Sequence, residues 1–350
     1  MPARASSGTC LERLVRMASP LLRAAQRQCP RAGPGCLPDY EDWQIALLIL
    51  IALLHRRKSK SAQYRFLHER RATLQRWLDL KDFPARSTYF LRYRQAHPLF
   101  QQAIGLQGAQ ALAEGLADAT TVAVDKSLVA ARGPVWHAHR RPSPGVDREA
   151  GWGYSEHDGW VWGYGFQTVV TATRHSLVLP LLASAAPAHS SECRGFLSQI
   201  PRLPAETRHV LADRAYDTNA CQEAIEVDPQ GRPTGRQFLC PLIRRAGKPP
   251  AGLYPQRGRR GRQCRQRRQR LQRLQSPSGR RLYARRSQTV EPFHEWFKNS
   301  FELTDRVWHR GSDNNQTQLL AALFAYQLLL RYNHRCGYRN AQIQWILDAL

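Results

Sequence analysis

The sequence is 350 residues long and carries 52 Lys and Arg residues against 27 Asp and Glu residues, a formal net charge of +25. So large a positive excess is atypical of a metabolic enzyme and indicates a polyanionic partner, although a basic enzyme of ordinary function remains the alternative. The most apolar run, 45–54, is about half the length that spans a bilayer, so the sequence argues against a membrane protein.

The eight cysteines are scattered along the chain and form no CxxC pair. Zinc sites and disulfide frameworks need more regular spacing than this. Because no secretory signal is evident, we expect free thiols in a reducing cytoplasm. The sequence therefore predicts a cytoplasmic, nucleoid-associated protein.

The first third of the chain predicts helices. Residues 1–37 lack clear periodicity, and we expect a poorly ordered basic arm with at most a short helix around 11–17. Residues 38–118 have helical patterning, with helices over 43–56 and 62–80 and a third that begins after Pro84. This all-α N-terminal domain serves either DNA binding, by a helix-turn-helix-like arrangement, or dimerisation.

From residue 120 the pattern changes to that of strands. We predict strands at 121–128, 160–172, 177–184 and 207–212, and helices at 190–200 and 219–225. This β-β-β-α-β order predicts an α/β domain over 119–335 with a mixed sheet. Further helices are predicted at 291–297 and 316–332, and a C-terminal helix within 336–350.

A basic insertion at about 230–281 interrupts the predicted domain. Like charges this dense repel one another, so we expect the insertion to be solvated or disordered on its own. Its arginine-rich stretch contains Arg257, Arg259, Arg260, Arg262, Arg265, Arg267, Arg268, Arg270 and Arg273.

Two aspartates follow apolar runs of strand type, Asp125 after Val-Ala-Val and Asp213 after Val-Leu-Ala. If the strands are neighbours, the two carboxylates repel each other unless a cation lies between them. Each aspartate alone could simply cap a turn. Together with the charge of the chain, they favour Mg²⁺-assisted chemistry on nucleic acid.

A third acidic residue, Glu291, opens an amphipathic helix that also carries Lys298. The two residues are seven positions apart and so share one helical face. A carboxylate there can bind metal while the ammonium group meets a phosphate. Glu295 is the rival third acid, and a solvated face with internal ion pairs is the alternative for the whole helix.

Tryptophans cluster in a glycine-rich stretch at 151–164 that contains Trp152, Trp160 and Trp162. Flat aromatic rings can stack on unpaired bases. The same residues could instead form the core between two paired strands.

Four segments of the chain resemble the DDE transposases of bacterial insertion sequences, families four and five. They are the strand before Asp125, the stretch 159–167, the segment 212–218 and the run 283–298, and the resemblance covers roughly 120–335. The family signature of Tyr, two residues, Arg, three residues, Glu, six residues and Lys is nearly kept. Four residues, rather than three, separate Arg286 from Glu291.

This resemblance implies an RNase H-like core, cut-and-paste transposition and two Mg²⁺ ions, which Mn²⁺ can replace. The catalytic and metal-binding acids then fall on Asp125, Asp213 and Glu291. Ions bound between these acids would activate the attacking hydroxyl and stabilise the leaving oxygen. The predicted DNA-binding residues are the arginine-rich stretch through Arg268 together with Lys126, Arg214, Tyr283, Arg285, Arg286 and Lys298.

The sequence therefore predicts a DNA transposase that acts as a homodimer on terminal inverted repeats and target DNA. Two alternatives remain open. One is an element-derived DNA-binding protein with impaired catalysis, and the other is an RNase H-like nuclease.

Overall fold

Helices surround a single mixed sheet in the computed structural model, which describes residues 9–29, 39–137, 141, 143–243, 258–338 and 340–350. Side chains at 258–262 are outside that description. The helices are α1 (Cys10–Gln28), α2 (Asp42–Leu54), α3 (Lys60–Glu69), α4 (Arg71–Leu78), α5 (Arg86–Gln95), α6 (His97–Ala113), α7 (Glu192–Leu197), α8 (Asn219–Glu226), α9 (Gly258–Gln275), α10 (Pro277–Tyr283), α11 (Arg285–Ser300), α12 (Ser312–Arg335) and α13 (Gln344–Asp348). The strands are β1 (Thr121–Ala130), β2 (Gly151–Ser155), β3 (Gly159–Thr171), β4 (Pro180–Pro187), β5 (His209–Ala212) and β6 (Gln237–Leu239).

The sheet has the strand order β2-β3-β1-β5-β6, with β4 also paired to β3. Strand β3 is antiparallel to β1, β2 and β4, whereas β1, β5 and β6 run parallel to one another. Because β1 and β5 are buried in the middle of the sheet, their residues 122–124 and 210–212 are apolar on both faces. The prediction of a mixed sheet with an α crossover is confirmed.

The N-terminal segment differs from the expected disordered arm. Helix α1 is 19 residues long, and the Thr9 hydroxyl caps it by accepting from the Glu12 amide at 3.2 Å. Its buried face includes Leu14, Ala18 and Leu22, spaced at four residues, so packing stabilises the helix although Pro20 lies within it. Residues 1–8 and 30–38 lie outside the described part.

Helix α12 joins the helical region to the sheet. The Gln327 side chain donates to the carbonyls of Ile104 in α6 and Pro180 in β4, at 3.0 and 2.6 Å. The Thr317 hydroxyl donates to the Tyr93 carbonyl of α5 at 2.8 Å. One continuous hydrophobic cluster therefore runs from the N-terminal helices into the α/β part of the chain.

The basic insertion also differs from expectation, because much of it is helical. Helix α9 covers the arginine-rich stretch from Gly258 to Gln275, and strand β6 precedes it at the edge of the sheet. The predicted self-repulsion is offset because several of its arginines contact acidic side chains of the domain. Among the described residues, no helix has the length and apolar character that crossing a membrane requires.

Candidate metal and DNA site

Asp125 and Asp213 lie side by side in the centre of the sheet. The parallel pairing of β1 with β5 ends at Val124 and Ala212, so each aspartate is the next residue along its chain. Adjacent strands are about 4.8 Å apart, which brings the two carboxylates to one locality. Asp213 follows the end of β5, and Asp125 lies within β1, which continues to Ala130; both positions agree with the predicted strands.

Backbone hydrogen bonds orient both carboxylates. Asp125 Oδ1 accepts from the Lys126 amide at 2.9 Å, and Asp213 Oδ1 accepts from the Arg214 amide at 2.6 Å. Burial raises the pKa of Asp125 to about 6, and the charge of Asp213 adds to the rise. A cation bound beside Asp125 would offset this cost, because it favours the charged form of the carboxylate.

Arg286, at the start of α11, supplies a positive charge to this pair. Its Nη2 donates to Asp125 Oδ2 at 2.9 Å, and both side chains are less than one-fifth exposed. Burial alone would lower the pKa of Arg286, but the charges of Asp125 and Asp213 raise it. The signature arginine therefore lies at the acidic centre.

A third carboxylate near the aspartates belongs to Glu192, which sequence reasoning missed. It begins helix α7 after the cap residue Ser191. Burial raises its pKa, Lys126 lowers it, and the charges of Asp125 and Asp213 raise it further. In the sequence this residue looks like an ordinary first-turn glutamate, and only the crossover from β4 to α7 brings it to the centre of the sheet.

Lys126 points toward the segment that leads into α7. Its Nζ donates to the carbonyls of Ala188 and Ser190 at 2.6 and 2.9 Å. Burial lowers its pKa and Glu192 raises it. These contacts hold the start of α7 beside β1, and the predicted phosphate contact of Lys126 stays a prediction.

Helix α11 presents its acidic residues outward. Val290, Phe293 and Phe297 are buried against the core, whereas Glu291 and Glu295 are exposed. In the described part of the chain, no three His, Cys, Asp or Glu side chains are grouped closely enough to hold a metal ion, so Glu291 does not complete such a group with the two aspartates. The role of Glu291 therefore stays a prediction.

Lys298 is half-buried near the turn between β2 and β3. Burial lowers its pKa, while the charge of Asp158 in that turn raises it. A second residue of the turn, Glu156, forms an ion pair with Arg214. The β2–β3 turn thus lies beside two of the cations that were predicted to contact DNA.

Tyr283 is also close to the aspartates. Burial raises its pKa to about 12; Arg286 opposes that rise, and the charges of Asp213 and Asp125 add to it. Arg285 is half-buried and lies near His209, whose pKa falls through burial and through the charge of this arginine. Of the signature residues, the structure thus brings Tyr283 and Arg286 to the aspartates.

The arginine-rich stretch divides into residues with different surroundings. Arg267 donates to the Asp217 carboxylate at 2.7 Å, and Arg270 is fully buried against the same carboxylate. Arg273 pairs with Glu226 at 2.7 Å. Arg265 and Arg268 are exposed. Arg257 and the side chains of Arg259, Arg260 and Arg262 lie outside the described residues.

The tryptophans of the stretch 151–164 also differ from one another in their burial. Trp162 is buried and packs edge-on against Trp152, with ring centroids 5.6 Å apart. Trp160, near the tip of the β2–β3 hairpin, is 69% exposed. The core interpretation thus holds for Trp162, and Trp160 is available to a partner.

A mixed sheet with paired carboxylates at its centre and basic helices around it is the arrangement expected of a protein that acts on nucleic acid. In a comparison with protein families, residues 114–328 match the transposase DDE domain. This match covers more than half of the chain, so the chain belongs to the DDE transposase family. The predicted resemblance and the RNase H-like fold are confirmed. A comparison with curated proteins finds no match.

Membership of this family implies DNA binding, and its members generally use a divalent metal ion. Asp125 and Asp213 fit such an ion, because both offer oxygen ligands and the pair gains from a neutralising charge. The matched range includes Glu291, whereas helices α1 to α6 precede it.

Proposed function

We propose that the protein is an active transposase that cuts and joins the ends of an insertion sequence by Mg²⁺-dependent cut-and-paste transposition. The observation that carries this proposal is the placement of Asp125 and Asp213 on adjacent parallel strands. An aspartate with a purely structural role needs no second carboxylate beside it. Two neighbouring carboxylates in the middle of a sheet destabilise the folded protein, so their presence favours a functional role.

In this proposal Asp125 and Asp213 hold the metal, and Glu291 supplies the third carboxylate from α11. A bound divalent ion would activate a water or a 3′-hydroxyl and stabilise the leaving oxygen. Arg286 neutralises Asp125 while the metal is absent and is then placed to meet a phosphate beside the centre. With a pKa raised to about 6, Asp125 is largely ionised at neutral pH and so able to bind a cation.

The remaining cations bind the DNA backbone. Arg214 and Lys298 flank the centre, and exposed arginines of α9 and α10 extend the positive surface. Contacts of this kind neutralise phosphates without reading sequence. Because two transposon ends must be held together, we propose that a homodimer assembles on the terminal inverted repeats.

The test is strand transfer of a labelled insertion-sequence end, with Mg²⁺ and in its absence. A transposase cleaves the end and joins it to target DNA only with the metal. A DNA-binding protein without catalysis shifts the DNA and leaves it intact. An RNase H-like nuclease cuts but does not join, and either of these two results would overturn the proposal.

A further inference from the structure

Asp217 connects the basic insertion to the turn that carries Asp213. Its side chain is only 1% exposed and accepts three hydrogen bonds from distant parts of the chain. The donors are the Ile243 amide at 2.9 Å, Arg267 at 2.7 Å and Arg270. Burial alone would raise the pKa of Asp217, but these donors lower it, so the carboxylate is ionised inside the protein.

The arginines come from one face of α9. Arg267, Arg270 and Arg273 are spaced by three residues, which places them on neighbouring turns. Arg270 is fully buried, lies 5.4 Å from the ring centre of Phe238 in β6, and also donates to Gln222 of α8. Breaking a buried pair of this kind leaves an uncompensated charge, so α9 is held firmly on the domain.

The path from Asp217 to Asp213 is short and rigid. One 3₁₀ turn separates them, in which the Tyr216 amide donates to the Asp213 carbonyl and the Asp217 amide to the Arg214 carbonyl, both at 3.0 Å. Tyr216 is fully buried, and its hydroxyl accepts from Gln167 of β3 at 2.7 Å. The position of the Asp213 backbone is therefore set by two buried neighbours, Tyr216 and Asp217.

We propose that Asp217 is a positioning residue: by binding Arg267 and Arg270 of the insertion it fixes the turn that presents Asp213, so the insertion and the metal centre form one unit. This inference rests on the proposed role of Asp213. It predicts that loosening the insertion at Asp217 displaces the carboxylate of Asp213, which lies one 3₁₀ turn before it along the chain.

The matched variants are D217N and E226Q. Both remove one carboxylate that anchors α9, but Glu226 holds Arg273 at the far end of α8, away from the turn. Amide hydrogen exchange at 214–218 reports the turn directly. We expect D217N to speed this exchange at least tenfold and to raise the Mn²⁺ concentration for half-saturation at least fivefold, whereas E226Q changes neither.

Unchanged exchange at 214–218 in D217N would overturn the inference, as would equal changes in the two variants. If D217N does not fold, R267Q replaces it, since Arg267 is 14% exposed and Arg270 stays paired. Folded R267Q should show a smaller acceleration of hydrogen exchange at the same amides. Unchanged exchange in R267Q would count against the positioning role of Asp217. If wild-type protein binds no Mn²⁺ and cuts no DNA, the proposed function fails, while the exchange data still decide whether Asp217 fixes the turn.

Discussion

Arg286 donates to Asp125 Oδ2 at 2.9 Å, which links the signature helix α11 to the first aspartate of the centre. The extra residue between Arg286 and Glu291 lies within α11 and turns the glutamate about 100° further around the helix than the usual spacing would. Arg286 thus faces the aspartate, while Glu291 lies on the exposed flank. The third metal-binding acid must therefore be identified by experiment.

The third acid can be assigned with three charge-neutral variants. We expect E291Q to abolish strand cleavage with DNA binding retained, because a carboxamide keeps the shape but loses the charge that holds a metal. E192Q should slow cleavage only a few-fold, since Glu192 supports the centre beside Lys126. E295Q tests the rival third acid on the exposed face of the same helix, and we expect it to cleave at the wild-type rate. Full cleavage by E291Q together with loss in E192Q would move the assignment to Glu192.

Lys298 is expected to contact a phosphate beside the scissile bond. K298A should lower single-turnover cleavage roughly tenfold or more, about 1.4 kcal/mol of barrier, with metal affinity kept. An exposed ion pair would be worth only about 0.2–1 kcal/mol of stability and nothing in catalysis. Measuring cleavage and the thermal midpoint on one preparation separates the two roles. Normal cleavage with a lowered midpoint would rule out the phosphate contact.

Two sets of three arginines should behave differently in DNA binding. Changing the exposed residues Arg265, Arg280 and Arg281 to Gln should flatten the salt dependence of duplex binding by roughly 2–3, because each phosphate contact contributes about 0.9 to the slope. The equivalent change in the anchoring set should lower the thermal midpoint and leave the slope nearly unchanged; this set is Arg267, Arg270 and Arg273. Equal effects of the two sets on the slope would contradict the division of these arginines into an anchoring set and a DNA-facing set.

Glu114 should make stability depend on pH. Hydrogen bonds from Arg331, opposed by burial and aided by Arg335, lower its pKa to about 2. A depressed acid contributes stability that is complete above its unfolded pKa of about 4.5 and is lost as the pH falls through about 2. E114Q should therefore unfold about 2–3 kcal/mol more easily at pH 7, with the difference shrinking below pH 4.5.

Urea unfolding of wild type and E114Q at several pH values measures this difference. The control is R335Q, because Arg335 is 48% exposed and its pair with Glu114 should matter little. A difference between wild type and E114Q that stays constant from pH 7 to pH 3 would show that Glu114 is not the titrating group.

The sequence was sufficient for strands β1, β3, β4 and β5 and for the aspartate pair, whereas the short strands β2 and β6 were not predicted. Apolar runs that end in an acid are a local signal, and Asp125 and Asp213 show it without any knowledge of their neighbours. Glu192 has no such signal, because its proximity depends on where the crossover after β4 places α7. The charge of the insertion is also neutralised by a residue that is distant in the sequence. Arg267 and Arg270 pair with Asp217, which lies 50 and 53 residues away from them.

The prediction for the N-terminal segment, which contains helix α1, was wrong for a different reason. The buried residues of α1 recur with helical spacing, but a proline, Pro20, lies within the helix and the flanking residues are rich in Pro, Gly and Arg. Local propensity therefore favoured an irregular arm. The helix is stabilised by burial of Leu14, Ala18 and Leu22 against α2 and α6, which sequence periodicity alone does not reveal.

The central claim is that the neighbouring carboxylates of Asp125 and Asp213 carry the strand chemistry. The most direct measurement is single-turnover cleavage and joining of a labelled insertion-sequence end by D125N and D213N, beside wild type and at saturating protein. We expect each variant to bind the end with near wild-type affinity and to give no cleaved or joined product in Mg²⁺ or Mn²⁺. Cleavage by either variant at a rate close to wild type would contradict the account.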